Sequence, residues 1–227
     1  MNLKAYVAEF IGAFALLFCG VGAMAAGADG LAVAFAHGLA IAVMIGAFGA
    51  VSGGHFNPAV SFAVFIRKKL EAKDMLLYWV FQFGGAVAAV YTLKQLYPDA
   101  AMVNCAFGLP QTATELLVNE SPVLPIHRFI AEMVGTFFLA SVVIGSAIYK
   151  GGTQAPGLHI GLTITASAIS IGAVSGSSIN PARWLGSAAV AGRLEEAWVY
   201  LGAPLAGALL AGLISVYVVH KDEAAAA

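Results

Sequence analysis

The chain has 227 residues, 60 % of them hydrophobic and only 10 % charged, with a mean hydropathy of +0.88. That balance lies outside the range of soluble domains and assigns the chain to the membrane class. A net charge of −1 and a pI near 6.5 leave no electrostatic footprint for nucleic acid.

Charge-poor apolar runs cover about 5–26, 31–51, 75–93, 129–149, 157–174 and 197–219. Each is about long enough to cross a hydrocarbon core of ~30 Å, so six spans are predicted. The first is not a secretory signal: it is too long for the apolar part of one, carries Glu9, and returns in the second half of the chain as a span. Lys4, Arg67, Lys68, Lys69, Lys73, Lys150 and Lys221 fall on one side of this threading, and Lys94, Arg128 and Arg193 on the other. The side richer in positive charge is cytoplasmic, which predicts an integral protein of the cell (inner) membrane with both termini in the cytoplasm.

Between the second and third spans, "FNPAVSFAVFI" (56–66) is apolar but only 11 residues long. As a helix it reaches about 16 Å, half a membrane. The stretch from Asn180 to about Gly192, after the fifth span, is equally short. A residue before proline is pushed out of the α region, Asn is a strong N-cap, and Pro suits the first helical position. Asn57-Pro58 and Asn180-Pro181 therefore each start a helix. Elsewhere, Cys19 lies inside the first span and Cys105 in a connection, which argues against a structural disulfide. Asn119-Glu120-Ser121 fits the glycosylation pattern weakly, since Pro122 follows.

The two halves repeat at an ungapped offset of 123: "AEFIGAF" from Ala8 matches "AEMVGTF" from Ala131, "GLAIA" from Gly38 matches "GLTIT" from Gly161, and "VSGGHFNPA" from Val51 matches "VSGSSINPA" from Val174; Gly84 meets Gly207. Each half holds three spans, an odd number, so the halves enter the membrane from opposite faces. The predicted fold is an all-α membrane protein of six transmembrane helices plus two re-entrant half-helices in an inverted 3+3 repeat. One domain covers 1–227, with repeat one over about 3–97, repeat two over about 126–220 and an outer loop over about 98–125 between them. The wider connection, about 94–128, is expected to fold over the outer vestibule and to offer a filter residue there.

Two helix starts thus meet near the bilayer centre. With its carbonyl spent on capping, each Asn keeps an NH₂ that donates and cannot accept. Two such donors facing one lumen hold a water by its oxygen and interrupt a donor-to-acceptor chain along the file. Each helix N-terminus adds roughly +0.5 charge, which disfavours cations. Glu9 and Glu132, equivalent in the repeat and the only carboxylates inside full-length spans, read as acceptors for the N–H groups of the re-entrant loops. His55 reads as a further loop-anchoring residue, and Arg183 as a permanent charge and donor just outside the midplane.

Inverted repeats and broken helices also occur in secondary transporters. Coupled transport needs ionisable groups at the substrate site, and no carboxylate here reads as pore-facing. An enzyme is disfavoured as well: His37, His55, His127, His159 and His220 lack metal-ligand spacing, and no span holds an Asp to complete a Ser-His-Asp set. No cofactor or metal is expected.

The two "NPA" motifs, Asn57-Pro58-Ala59 and Asn180-Pro181-Ala182, with the inverted halves and Arg183, resemble the aquaporin (major intrinsic protein) family over essentially 3–219. Half-helix dipoles and a pore arginine are the established basis of proton exclusion in aquaporin-type pores. The resemblance implies a bundle of six tilted helices, a homotetramer with one pore per subunit, and a passive channel for water in the lipid bilayer. It maps the outer selectivity filter onto His37, Ala168, Ser177 and Arg183. Water-selective members have Phe in place of His37 and His in place of Ala168, whereas His at the first position is similar to tonoplast-type channels that also pass ammonia, urea or hydrogen peroxide. Glycerol facilitators resemble the chain less, because they carry Asp where this chain has Trp184, a residue unusual for the family.

Overall fold

The structure is a computed structural model that describes residues 2–110, 117–118, 121–149 and 152–218. Lys150, His220, Lys221 and the sequon residues Asn119 and Glu120 lie outside the described residues, as do the last positions of the expected second repeat. In chain order the helices are α1 (Leu3–Ala25), α2 (Gly30–Ser52), α3 (Pro58–Ile66), α4 (Ala72–Leu96), α5 (Asp99–Asn104), α6 (Pro125–Val143, continued as a π-turn over Ile144–Ile148), α7 (Pro156–Ser175), α8 (Pro181–Ala191) and α9 (Ala197–Val218). Six of these are long and apolar enough to span a bilayer. The helices α3 and α8, of 9 and 11 residues, are half that length.

Local chemistry sets the ends. Asn2 and Asp29 accept backbone N–H bonds at the starts of α1 and α2, and Pro opens α3, α6, α7 and α8. Gly53 (φ +89°) and Gly176 (φ +74°) end α2 and α7 in the left-handed conformation that glycine adopts without strain. The connection after α4 contains α5, a 3₁₀ turn (Ala106–Gly108) and a two-residue antiparallel ladder of β1 (Leu117–Val118) on β2 (Ser121–Pro122). The ladder is a small addition to an otherwise helical chain.

Helix α1 packs on α4 and α2, α6 packs on α9 and α7, and α2 meets α7 across the repeats. In lipid these contacts gain little from apolar burial, so they rest on close approach at small residues. A Cβ on Gly38 would come within 2.4 Å of the Gly161 carbonyl oxygen, and one on Gly161 within 2.4 Å of the Gly38 carbonyl oxygen. Large apolar side chains such as Leu39, Val80, Phe138 and Leu213 face outwards, the inverse of a water-soluble surface.

One expectation needs correction. A Cβ on Gly85, not on Gly84, would meet the Phe10 carbonyl oxygen at 2.2 Å, as one on Gly207 would meet that of Met133. Likewise the Tyr78 hydroxyl donates to Ser52 O and the Tyr200 hydroxyl to Ser175 O. The repeat offset therefore holds through the half-helices and falls one residue short in the third span of each half. The slip lies where the half-helix joins the next span, a place where pairing imposes no common length.

Candidate functional site

After α2 and after α7 the chain turns back into the bundle along two strained segments. Phe56 (φ +49°), Ser177 (φ +45°) and Ile179 (φ +43°) occupy the left-handed region that non-glycine residues avoid, at roughly 1–3 kcal/mol each. Two buried carboxylates hold these segments. Glu9 accepts from Ser52 Oγ (2.6 Å), His55 N (2.9 Å), Phe56 N (2.6 Å) and Gln82 Nε2 (2.7 Å). Glu132 accepts from Ser175 Oγ (2.7 Å), Ser178 N (2.8 Å) and Ile179 N. The fourth donor to Glu9 has no counterpart because, in the slipped register, Gln82 corresponds to the buried Pro204. The His55 ring lies 3.1 Å from Ser61 Oγ through Nδ1 and sits edge-on to Tyr78.

Both asparagines cap their half-helices. Asn57 Oδ1 accepts from Ala59 N at 2.9 Å, and Asn180 Oδ1 accepts from Ala182 N at 2.9 Å and Arg183 N at 3.2 Å. Their amide nitrogens then cross between the repeats: Asn57 Nδ2 donates to Ile179 O at 2.9 Å and Asn180 Nδ2 to Phe56 O at 3.0 Å. The sequence reading left the whole NH₂ group of each Asn for the lumen. One hydrogen of each is instead committed to the opposite loop, because the inversion brings a left-handed carbonyl within reach, and one remains. Pro58 and Pro181 hold the first helical positions, and Ala59 and Ala182, fully buried, leave room for the two half-helices to meet.

A cavity of about 850 Å³ runs past this junction. Asn57, Asn180, His37, Ala168, Ser177 and Arg183 all line it, as does His55, while much of the remaining wall is apolar, with Leu16, Ile41, Val60, Leu139, Val143 and Ile164. Glu9 and Glu132 stay behind the loops they hold. Arg183 is 5 % exposed, and its Nε and Nη1 have no protein partner among the described residues, nor has Ser177 Oγ. His37 Nδ1 lies 2.9 Å from Val33 O; a carbonyl only accepts, so Nδ1 carries the proton. The ring rests on α1 at Gly20, where a Cβ would come within 2.1 Å of Nε2.

Residues to which the sequence reading gave no place on the wall complete it. Asn104, Cys105, Ala106, Leu109 and Pro110, from the connection between the repeats, line the same cavity. The length of that connection was the visible signal; its individual lining positions follow no period. Trp184, unexplained by sequence, stacks on Tyr200 with ring centroids 5.5 Å apart and planes 9° from parallel.

Six spans, two half-helices meeting head to head, and a cavity that is apolar except at a few aimed polar groups define a membrane channel. The chain belongs to the major intrinsic protein family, whose model matches residues 1–215. It is 37 % identical over 225 residues to "Glycerol uptake facilitator protein-like 6" of Lactiplantibacillus plantarum, with 97 % of this chain and 100 % of that protein covered. It is 36 % identical over 232 residues to "Aquaporin TIP2-1" of Arabidopsis thaliana, covering 94 % and 86 %. The X-ray structure of the aquaglyceroporin from Plasmodium falciparum shares the fold, with a TM-score of 0.83 at 23 % identity over 97 % of this chain and 98 % of that one.

Proposed function

We propose that this protein is a passive, non-enzymatic channel that conducts water and small neutral solutes and stops ions and protons. The observation that carries the reading is the crossed pair of asparagine bonds beside the cavity, Asn57 to Ile179 and Asn180 to Phe56. With Oδ1 capping and one N–H crossed, each Asn retains one N–H for the lumen. A water between them accepts from both, so its own hydrogens point away from the pair and towards opposite mouths. A proton cannot hop through a molecule held that way, and two helix N-termini of about +0.5 charge each repel cations at the same depth. The apolar stretches of the wall, at Leu16, Ile41, Val60, Leu139 and Val143, offer no competing hydrogen bond, which keeps transit fast.

His37, Ala168, Ser177 and Arg183 form the selectivity filter in this reading. Arg183 and Ser177 bring donors without protein partners to the lumen, so a solute with an acceptor oxygen or nitrogen is welcomed there. Ala168 leaves space that a larger side chain would fill, which suits hydrogen peroxide, ammonia or urea beside water. Glycerol is the second candidate, supported by the name of the Lactiplantibacillus plantarum relative. A gradient-coupled carrier is disfavoured by the family and by the lack of a carboxylate on the cavity wall among the described residues. The protein works as a homotetramer in the cell membrane with both termini cytoplasmic.

Light scattering from proteoliposomes after an osmotic step tests the reading. Water efflux well above that of empty liposomes, with no saturation and no dependence on an ion gradient, is expected. Folded protein that leaves the rate at the lipid background would refute it.

A further inference from the structure

We infer that Trp184 is a positioning residue: its stack on Tyr200 holds the wall that carries Ser177 and Arg183, and so sets which solutes pass. This rests on the reading of the cavity as the conduction path.

Trp184 occupies the place that Ser61 holds in repeat one. There the loop is tied by a polar knot: Gln82 Nε2 donates to Ser61 Oγ at 3.0 Å and to Glu9, Ser61 Oγ donates to Asn57 O at 3.2 Å, and the His55 ring meets Ser61 Oγ. Repeat two has neither the serine nor the glutamine, so Glu132 holds its loop with one bond fewer. The tyrosine bond to the loop is common to both repeats, Tyr78 to Ser52 O and Tyr200 to Ser175 O; what repeat two has in place of the polar knot is the Trp184 ring stacked on that tyrosine. Trp184 is 2 % exposed and Tyr200 1 % exposed, and their near-parallel rings fix the tyrosine's rotation about the helix α9. The Tyr200 hydroxyl then donates to Ser175 O at 2.9 Å. Ser175 Oγ in turn joins Glu132 to Ser177 N, so the ring stack is coupled to a lining residue of the loop.

The same stack reaches the wall twice more. Trp184 follows Arg183 directly, in the first turn of α8, and its backbone N–H bonds to Asn180 O at 3.1 Å. Leu109, from the connection between the repeats, packs into the cluster that contains Trp184 and Tyr200 and also lines the cavity. A loosened stack therefore gives way at the loop, at the arginine and at the mouth together, and a wider opening favours the larger solute over water.

The test is the ratio of urea uptake to water permeability in proteoliposomes, which does not depend on how much protein is folded. In Trp184→Ser the ratio is expected to rise about threefold or more, the scale of one aromatic pair, and in Tyr200→Phe, which keeps the ring and deletes only the hydroxyl, by about the same factor, the scale of one hydrogen bond. Trp184→Phe keeps a ring over Tyr200 and is expected to hold the parent ratio. Val90→Ala, a buried α4 position off the cavity, is expected to lower the yield of folded protein and leave the ratio unmoved. A parent-like ratio in Trp184→Ser overturns the inference; if that variant does not fold, an unchanged ratio in Tyr200→Phe overturns it alone. Parent protein with no water flux refutes the conduction reading instead, before any variant is compared.

Discussion

In the proposed pore each motif asparagine divides one small amide among three partners: its own helix, the opposite loop and the passing molecule. Asn57→Asp keeps the capping oxygen and deletes the donor, which leaves Ile179 O unpaired and sets a negative charge among helix starts that otherwise repel cations. Measurable cation leak across proteoliposomes is expected in that variant and not in the parent; ion-tight vesicles would contradict it. The buried glutamates make a second residue-level case. In Glu132→Gln one carboxylate oxygen becomes an NH₂ that faces a donor, since both oxygens are occupied by Ser175, Ser178 and Ile179. A loss of about 1–3 kcal/mol is expected for the unpaired group, read as a lower unfolding temperature in detergent. At the proposed filter, His37→Phe removes a polar edge and adds bulk. It is expected to reduce urea or peroxide uptake relative to water, and equal uptake would remove His37 from the filter.

Among the elements, the helix crossings depend on missing side chains. The α1–α2 contact at Gly20 accommodates the His37 ring, so Gly20→Ala is expected to push that ring towards the lumen and slow water flux, while the neighbouring Gly22, whose Cβ would meet only Leu93 at 3.3 Å, tolerates alanine far better. Stopped-flow rates of the two variants give the comparison. Spans, half-helices and the inverted repeat were legible in the sequence because bilayer thickness, the Asn-Pro pairs and the parity of three spans each leave a direct trace. The slip between Gly84 and Gly85 was not, since both positions are glycine and it is contacts, the Phe10 carbonyl on Gly85 and the Tyr78 bond to Ser52, that distinguish them. Nor were α5 and the lining residues Asn104, Cys105, Ala106, Leu109 and Pro110, whose placement depends on contacts such as Gly108 against Val21 and Ser187 rather than on any local pattern. The crossed asparagine bonds were half legible: capping follows from the motif, but their acceptors belong to the other repeat.

Across the whole molecule, the two halves share a plan and differ in how they hold it. Both tie the loop with a buried glutamate and a tyrosine, Glu9 with Tyr78 and Glu132 with Tyr200; repeat one adds Gln82, Ser61 and His55 where repeat two adds the Trp184 ring. The basic residues give a further molecular prediction. A label that cannot cross the membrane should reach Cys substituted at Lys94 from outside intact cells and fail to reach Cys substituted at Lys73; the reverse pattern would invert the proposed orientation.

The crossed bonds also bear on how the chain is made. Phe56 presents its carbonyl long before Asn180 leaves the ribosome, so the first loop waits in the bilayer with its acceptor unanswered until the second half inserts. Synthesised separately, the halves would each lack the other's donor, and assembly rather than insertion would become the slow step of biogenesis.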